Sequence, residues 1–170
     1  KLNLWSMISA PVHYLKKLGM KLTEGGHNIH GFFINPDHEY PYDHVKFEGD
    51  EGMAEDPYEV GGDYREDVNN DGKLSYFEAH PEWYGLQDGK RSDNCRGWFG
   101  DNICTSNKDA VAELGKNLVN GVIDGRWKYA DVVAFWMLDC GNWCECSECE
   151  KQGSETDRFL EVIDGVFAQI

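Results

Sequence analysis

The run 132–138 (VVAFWML) constrains the fold most. It is short, β-branched and aromatic, and it carries no charge that would mark a solvent face. It therefore predicts a strand buried on both faces in a parallel sheet. Helical periodicity flanks it. Residues 106–125 predict a helix capped by Ser106 or Asn107, with Val111, Leu114, Leu118 and Val122 on one face. Residues 156–170 predict a second helix, with Phe159, Leu160, Ile163, Val166 and Phe167 on its apolar side. Upstream, residues 3–18 predict a helix through Leu4, Ile8, Val12 and Leu15, weakened by the lost donor at Pro11. Residues 20–26 (MKLTEGG) predict a short strand ending in a Gly pair. Helix, strand, long loop, helix, strand, loop, helix is the order of an α/β fold with parallel strands. Both strands lead into long decorated loops, the end of such sheets where chemistry collects.

A chain of 170 residues is one domain's worth, and residues 27–107 form a stretch too long for an ordinary connection. That stretch is expected to be functional or an inserted subdomain. The net charge of −15 argues against nucleic acid and anionic membrane as partners, because both need a basic footprint. No apolar run is long enough to span a bilayer.

The most specific local signal is Asp67 to Glu78, DVNNDGKLSYFE. Side-chain oxygens fall at positions one, three, five and nine (Asp67, Asn69, Asp71, Ser75), with Gly72 at the sharp turn of position six. Lys73 offers a backbone carbonyl at position seven and Glu78 a bidentate carboxylate at position twelve, the ligand spacing of an EF-hand calcium loop. Val60-Gly61-Gly62 makes a poor entering helix, and Pro81 ends any exiting helix within a turn. A lone loop of this kind is expected to pin the long connection rather than to signal, and to bind weakly, at about 10⁻⁴–10⁻³ M.

Six cysteines are more than a cytosolic enzyme of this size usually carries. Three readings are open, of which redox catalysis is the weakest because no thioredoxin-like pattern surrounds the cysteines. Disulfides among Cys95, Cys104, Cys140, Cys144, Cys146 and Cys149 would staple the loops. Alternatively, Cys144, Cys146 and Cys149, with Cys104 or Cys140 as fourth ligand, would hold a structural zinc.

Three motifs read in order: EGGHNIHGFFINP after the first strand, AHPEWYGLQDGKR followed by NICTSNKDAV, and LDCGNWCECSEC after the second strand. Together they resemble a bacterial family of domains of unknown function that is grouped with the glycoside-hydrolase TIM-barrel superfamily, with a layout similar to α-glucuronidases and hexosaminidases. The resemblance covers nearly the whole chain. Cys140 stands where that family usually has Gly, Cys95 is additional, and the calcium loop leads directly into His-Pro-Glu-Trp. The resemblance implies a partial (β/α) TIM-barrel-type fold: a single domain or a barrel fragment, since a closed barrel usually takes about 250 residues.

It also implies carbohydrate as partner; the short length for a barrel adds other chains completing it or a homo-oligomer, and the cysteines with the lone calcium loop point to an extracellular or periplasmic setting. Glycoside hydrolysis uses two carboxylates flanking the bond, about 5–5.5 Å apart for retention and about 6.5–9.5 Å for inversion. Asp139, just past the buried strand, is the first candidate, then Glu24 and Glu82. His27 and His30 are candidates for sugar hydroxyls, Arg91 beside Lys90 for a substrate carboxylate, and Trp143 for stacking on a sugar face ahead of Trp83, Trp98 and Trp136. The alternative is a non-catalytic calcium-binding structural or interaction module. Two carboxylates facing one cleft with a Trp platform would favour the enzyme, whereas a cleft left open by missing strands would favour the module.

Overall fold

The structure, a computed structural model, describes residues 2–3, 9–40, 74–95, 99–125, 127–139 and 141–170. Its centre is a three-stranded parallel sheet in the order β1 (Leu2–Asn3), β2 (Leu22–Gly26), β5 (Val132–Phe135). Helix α1 (Ser9–Lys17) connects β1 to β2, α2 (Ile29–Phe33) and α4 (Lys108–Ile123) lie between β2 and β5, and α6 (Glu155–Phe167) follows. Short elements fill the rest: α3 (Tyr76–Ala79), a 3₁₀ turn at Pro81–Trp83, a hairpin of β3 (Leu86–Gln87) and β4 (Lys90–Arg91), and α5 (Ser147–Lys151). The α/β class with parallel strands holds, and among the described residues the sheet is small and no barrel closes.

Three expectations change. The first helix, expected over residues 3–18, begins only at Ser9, and Asn3 instead joins Leu2 in a short strand, β1. Pro11 then falls in the first helical turn, where its missing N–H had no intrahelical acceptor to lose. The strand expected over 132–138 stops at Phe135, and it is not buried on both faces: Val132 is 46 % exposed and Val133 to Phe135 are half-buried. The reason is position, since β5 pairs only with β2 among the described residues and so lies at a sheet edge. On α6 the buried residues are Val162 and Val166, while Leu160 and Phe167 are more than half exposed. The α6 face that meets α4 sets this pattern, not the full apolar arc.

Local chemistry explains the elements. Asn107 caps α4, its side chain accepting from the amides of Asp109 and Ala110. Ser154 and Asp157 form a capping box that starts α6. Gly115, unfavourable inside a helix, is required: a Cβ there would lie 2.7 Å from Gln169 Cγ and 3.2 Å from Val166 Cα, so its absence lets α4 and α6 approach. At the end of β2, Gly25 adopts φ +84°, and a Cβ would lie 2.3 Å from the Ala134 carbonyl oxygen.

The main core joins α2, α4, α6 and the aromatic segment 74–84 through Ile29, Ile34, Tyr84, Leu114, Trp127 and Val162. The chain between Tyr40 and Leu74 leaves and returns at one point. Tyr40 N donates to Leu74 O at 2.7 Å and Tyr76 N to His38 O at 2.9 Å, and Glu39 and Ser75 form an antiparallel bridge.

His30 on α2 is wholly buried, and burial pulls its pKa from 6.5 to about 4, offset in part by a backbone hydrogen bond at Asp101. The unfolded chain therefore binds more protons across that window, so stability falls as pH drops from 6.5 toward 4. We expect His30→Gln to remove up to about 3 kcal/mol of this pH dependence, read as the difference between wild-type and variant urea curves across the window.

Candidate functional site

Four buried cysteines share one volume. The sulfurs of Cys104, Cys144, Cys146 and Cys149 all lie within 4.8 Å of one another, and no side chain among them is more than 8 % exposed. Cys104 lies three residues before the cap of α4, Cys144 and Cys146 lie in the loop after β5, and Cys149 sits in the first turn of α5. Cys104 Sγ is 3.7 Å from both Cys146 Sγ and Cys149 Sγ. A disulfide needs about 2.05 Å. A tetrahedron with ~2.3 Å metal–sulfur bonds places its sulfurs about 3.8 Å apart. None of the five described cysteines is in a disulfide, so the four form a thiol cluster that can hold a metal ion such as zinc. The fourth sulfur is that of Cys104; Cys140 lies outside the described residues. Cys95 stands apart, buried, with its thiol 3.8 Å from Asn28 Oδ1.

Backbone and side-chain donors surround the sulfurs. Leu86 N donates to Cys144 Sγ at 3.3 Å, Ser106 N to Cys149 Sγ at 3.4 Å, and Cys149 N to Cys146 Sγ at 3.5 Å. Leu86 and Arg91 arrive on the β3–β4 hairpin, turned by Asp88 (φ 49°) and Gly89 (φ 76°). That pair of positive φ angles is what an Asp-Gly hairpin turn supplies. Arg91, expected to face a substrate carboxylate, is instead buried: its Nη1 donates to the Tyr84 carbonyl at 2.8 Å and to Cys144 Sγ at 3.6 Å. Burial works to lower the Arg91 pKa, but the sulfurs of Cys104, Cys144 and Cys146 outweigh it and hold it above its ordinary value. Within the cluster, hydrogen bonds from Cys104 and Cys144 lower the Cys146 and Cys149 thiols, and contacts with the other three sulfurs raise that of Cys104. Lys90 is solvent-exposed.

A cleft of about 200 Å³ opens at the C-terminal ends of β2 and β5. It brings together His27, Asp139 and Trp143, with Trp136, Glu155 and Thr156 beside them. Trp136 is 54 % exposed and stacks on Phe159 at 5.8 Å between centroids. Sequence reasoning did not single out Glu155, whose signal was its place just after the Ser154 cap. It also did not single out Asn102, which is fully buried and accepts from Leu138 N at 2.9 Å, holding the loop that presents Asp139.

The other candidates lie elsewhere. Glu24 is 4 % exposed and in register with Val133, which packs against the main core of helices, so it lies on that face of the sheet. Glu82 is 2 % exposed and its Oε1 lies 2.8 Å from His80 Nδ1, whose ring stacks on Trp83 and whose Nε2 meets Tyr40 Oη at 2.9 Å. His30 is in the core. Trp83 is buried, and Trp98 lies outside the described residues.

Of the expected calcium ligands, Asp67, Asn69, Asp71 and Lys73 lie outside the described residues. Ser75 and Glu78 form a capping box on α3: Ser75 Oγ accepts from Glu78 N, and Glu78 Oε2 accepts from Ser75 N.

The fold and site define an α/β domain with a small parallel sheet and a buried tetracysteine cluster. The chain belongs to the family described as a domain of unknown function (DUF4838), whose model matches residues 33–169. The four cysteines and the Trp136–Phe159 side of the cleft fall inside that span, while His27 and the Gly-Gly-His motif precede it. No curated protein and no solved structure matches the chain. No helix among the described residues is long and apolar enough to cross a membrane.

All six cysteines are expected to react in a thiol titration of denatured, chelator-treated protein prepared without reductant. A count of four or fewer would reinstate disulfides.

Proposed function

We propose that this is a carbohydrate-active, glycoside-hydrolase-like domain of TIM-barrel type whose loops are pinned by zinc and calcium. One observation carries the carbohydrate reading: Asp139, Glu155, His27, Trp136 and Trp143 line one cleft at the C-terminal ends of parallel strands. That combination suits a sugar, with flat aromatic faces for its C–H groups and polar groups for its hydroxyls. Asp139 and Glu155 are the carboxylates available for acid and base roles. The cleft is smaller than the ~300–1,000 Å³ of drug-sized sites, a size for a single sugar unit. With Arg91 turned toward the cysteines and two acids at the cleft, neutral or amino sugars fit better than uronic acids.

Zinc in the cysteine cluster would be structural, because four protein ligands and full burial leave no open coordination position. Calcium at Asp67–Glu78 rests on the ligand spacing of that run, and the capping box starts α3 just after its ninth residue with Ser75 Oγ and Glu78 Oε2 on backbone amides. An extracellular or periplasmic setting suits so weak a calcium loop.

Titration calorimetry against a panel of neutral and amino monosaccharides, with hydrolysis of matching aryl glycosides, tests the cleft. Binding is expected, and Trp143→Ala should weaken it about tenfold, the worth of an aromatic contact of ~1.5 kcal/mol. Asp139→Asn should abolish hydrolysis while leaving affinity within about threefold. Binding without hydrolysis would favour the non-catalytic module, and no binding to any member of the panel would sink the carbohydrate reading. For calcium, calorimetry should give a dissociation constant of about 10⁻⁴–10⁻³ M. Asp67→Ala should remove that binding, and silence of the wild type at millimolar calcium would refute the loop assignment.

A further inference from the structure

A cation held inside a protein needs a compensating anion, since burial strips it of water. The Arg91 side chain is buried, and it sits against the cysteine cluster: Nη1 is 3.6 Å from Cys144 Sγ, and the Cys104 and Cys146 sulfurs also act on its charge. A neutral thiol or a disulfide gains little from such a neighbour. A thiolate gains a charge-assisted hydrogen bond, among the stronger ones available. Four thiolates around one divalent zinc leave two negative charges in a buried volume, and among the described residues Arg91 is the cation that donates to one of the four sulfurs.

We propose that Arg91 is the countercharge of a tetrathiolate zinc centre at Cys104, Cys144, Cys146 and Cys149, and that it sets the zinc affinity of this protein. The inference rests on the zinc reading above and goes beyond it by giving a residue outside the ligand set a defined role. The hairpin is the device. Its Asp88–Gly89 turn brings Leu86 N and the Arg91 guanidinium to the same sulfur, so Cys144 receives both a backbone donor and a full positive charge. The Tyr84 carbonyl holds the guanidinium in that orientation.

The test uses the full chain as wild type, Arg91→Gln and Arg91→Lys. Zinc affinity is measured by competition with a chromophoric chelator. The sulfur-to-metal charge-transfer band is recorded after loading cobalt in place of zinc. The wild type should bind zinc, and Arg91→Gln should bind it about 10- to 100-fold more weakly, the usual scale for removing a group that supports metal ligands. The cobalt band should move to lower energy in Arg91→Gln, because a thiolate that loses a donor holds its electrons less tightly. Arg91→Lys keeps the charge but not the fork of donors, and should show both effects in smaller measure.

A merely structural arginine would change folding stability without moving the band. If Arg91→Gln folds with wild-type affinity and an unshifted band, the role of Arg91 is overturned while the zinc centre stands. Should Arg91→Gln not fold, unchanged affinity and band in Arg91→Lys overturn it equally. A wild type that takes up no zinc overturns the zinc reading itself, and this proposal with it.

Discussion

Four sulfurs held within 4.8 Å of one another are the constraint on which the loop architecture depends. They form a buried cluster separate from the main aromatic and aliphatic core, with Leu86 packed against it. The cluster ties the entry to α4, the loop after β5 and the start of α5 to one point, and the β3–β4 hairpin docks on it through Leu86 and Arg91. Each thiolate formed in such a space opposes the next through like-charge repulsion. A bound divalent cation would reverse that opposition, which is why so dense a set of sulfurs can hold a metal ion. The cleft depends on the same point. Trp143 precedes Cys144, and Glu155, Thr156 and Phe159 follow α5, so one wall of the cleft is carried by the segment that contributes three of the four sulfurs.

A second constraint sits at the base of the long connection. Tyr40, Tyr76, His80 and Trp83 pack edge-on or stacked around one another, with Glu82 buried beneath His80. This aromatic clasp closes the chain on both sides of residues 41–73, and Tyr84 fastens it to α2 through the Ile34 carbonyl. The His-Pro-Glu-Trp motif therefore acts as a joint. Its carboxylate is buried against His80 and does not line the cleft. Glu24 is kept from the cleft for a different reason: strand parity turns it to the helix-packed face.

Period and composition were enough to read α4, α6, β2, the start of β5, their parallel pairing and the apolar stripe of α4, and spacing marked Cys144, Cys146 and Cys149 as one cluster while leaving disulfides and zinc both open. Those features are local, since they follow from spacing along one segment. The same holds for His27, Asp139 and Trp143, which share a cleft because each stands just past a strand end, where parallel sheets gather their loops.

Partners and faces were decided in three dimensions. Sequence spacing left Cys104 and Cys140 equivalent as the fourth thiol, and the position of Cys104 ahead of α4 brought it to the other three. Arg91 read as a substrate contact because a guanidinium suits a carboxylate, and only the hairpin fold carries it inward to the sulfurs. The burial of Val162 and the exposure of Leu160 and Phe167 depended on which side of α6 meets α4. The partial exposure of β5 depended on how many strands stand beside it. The sequence alone determined which residues can do chemistry and which segments are regular, because those are properties of side chains and their period. Tertiary structure decided which of those residues meet, because contact between distant segments depends on packing that no local pattern encodes.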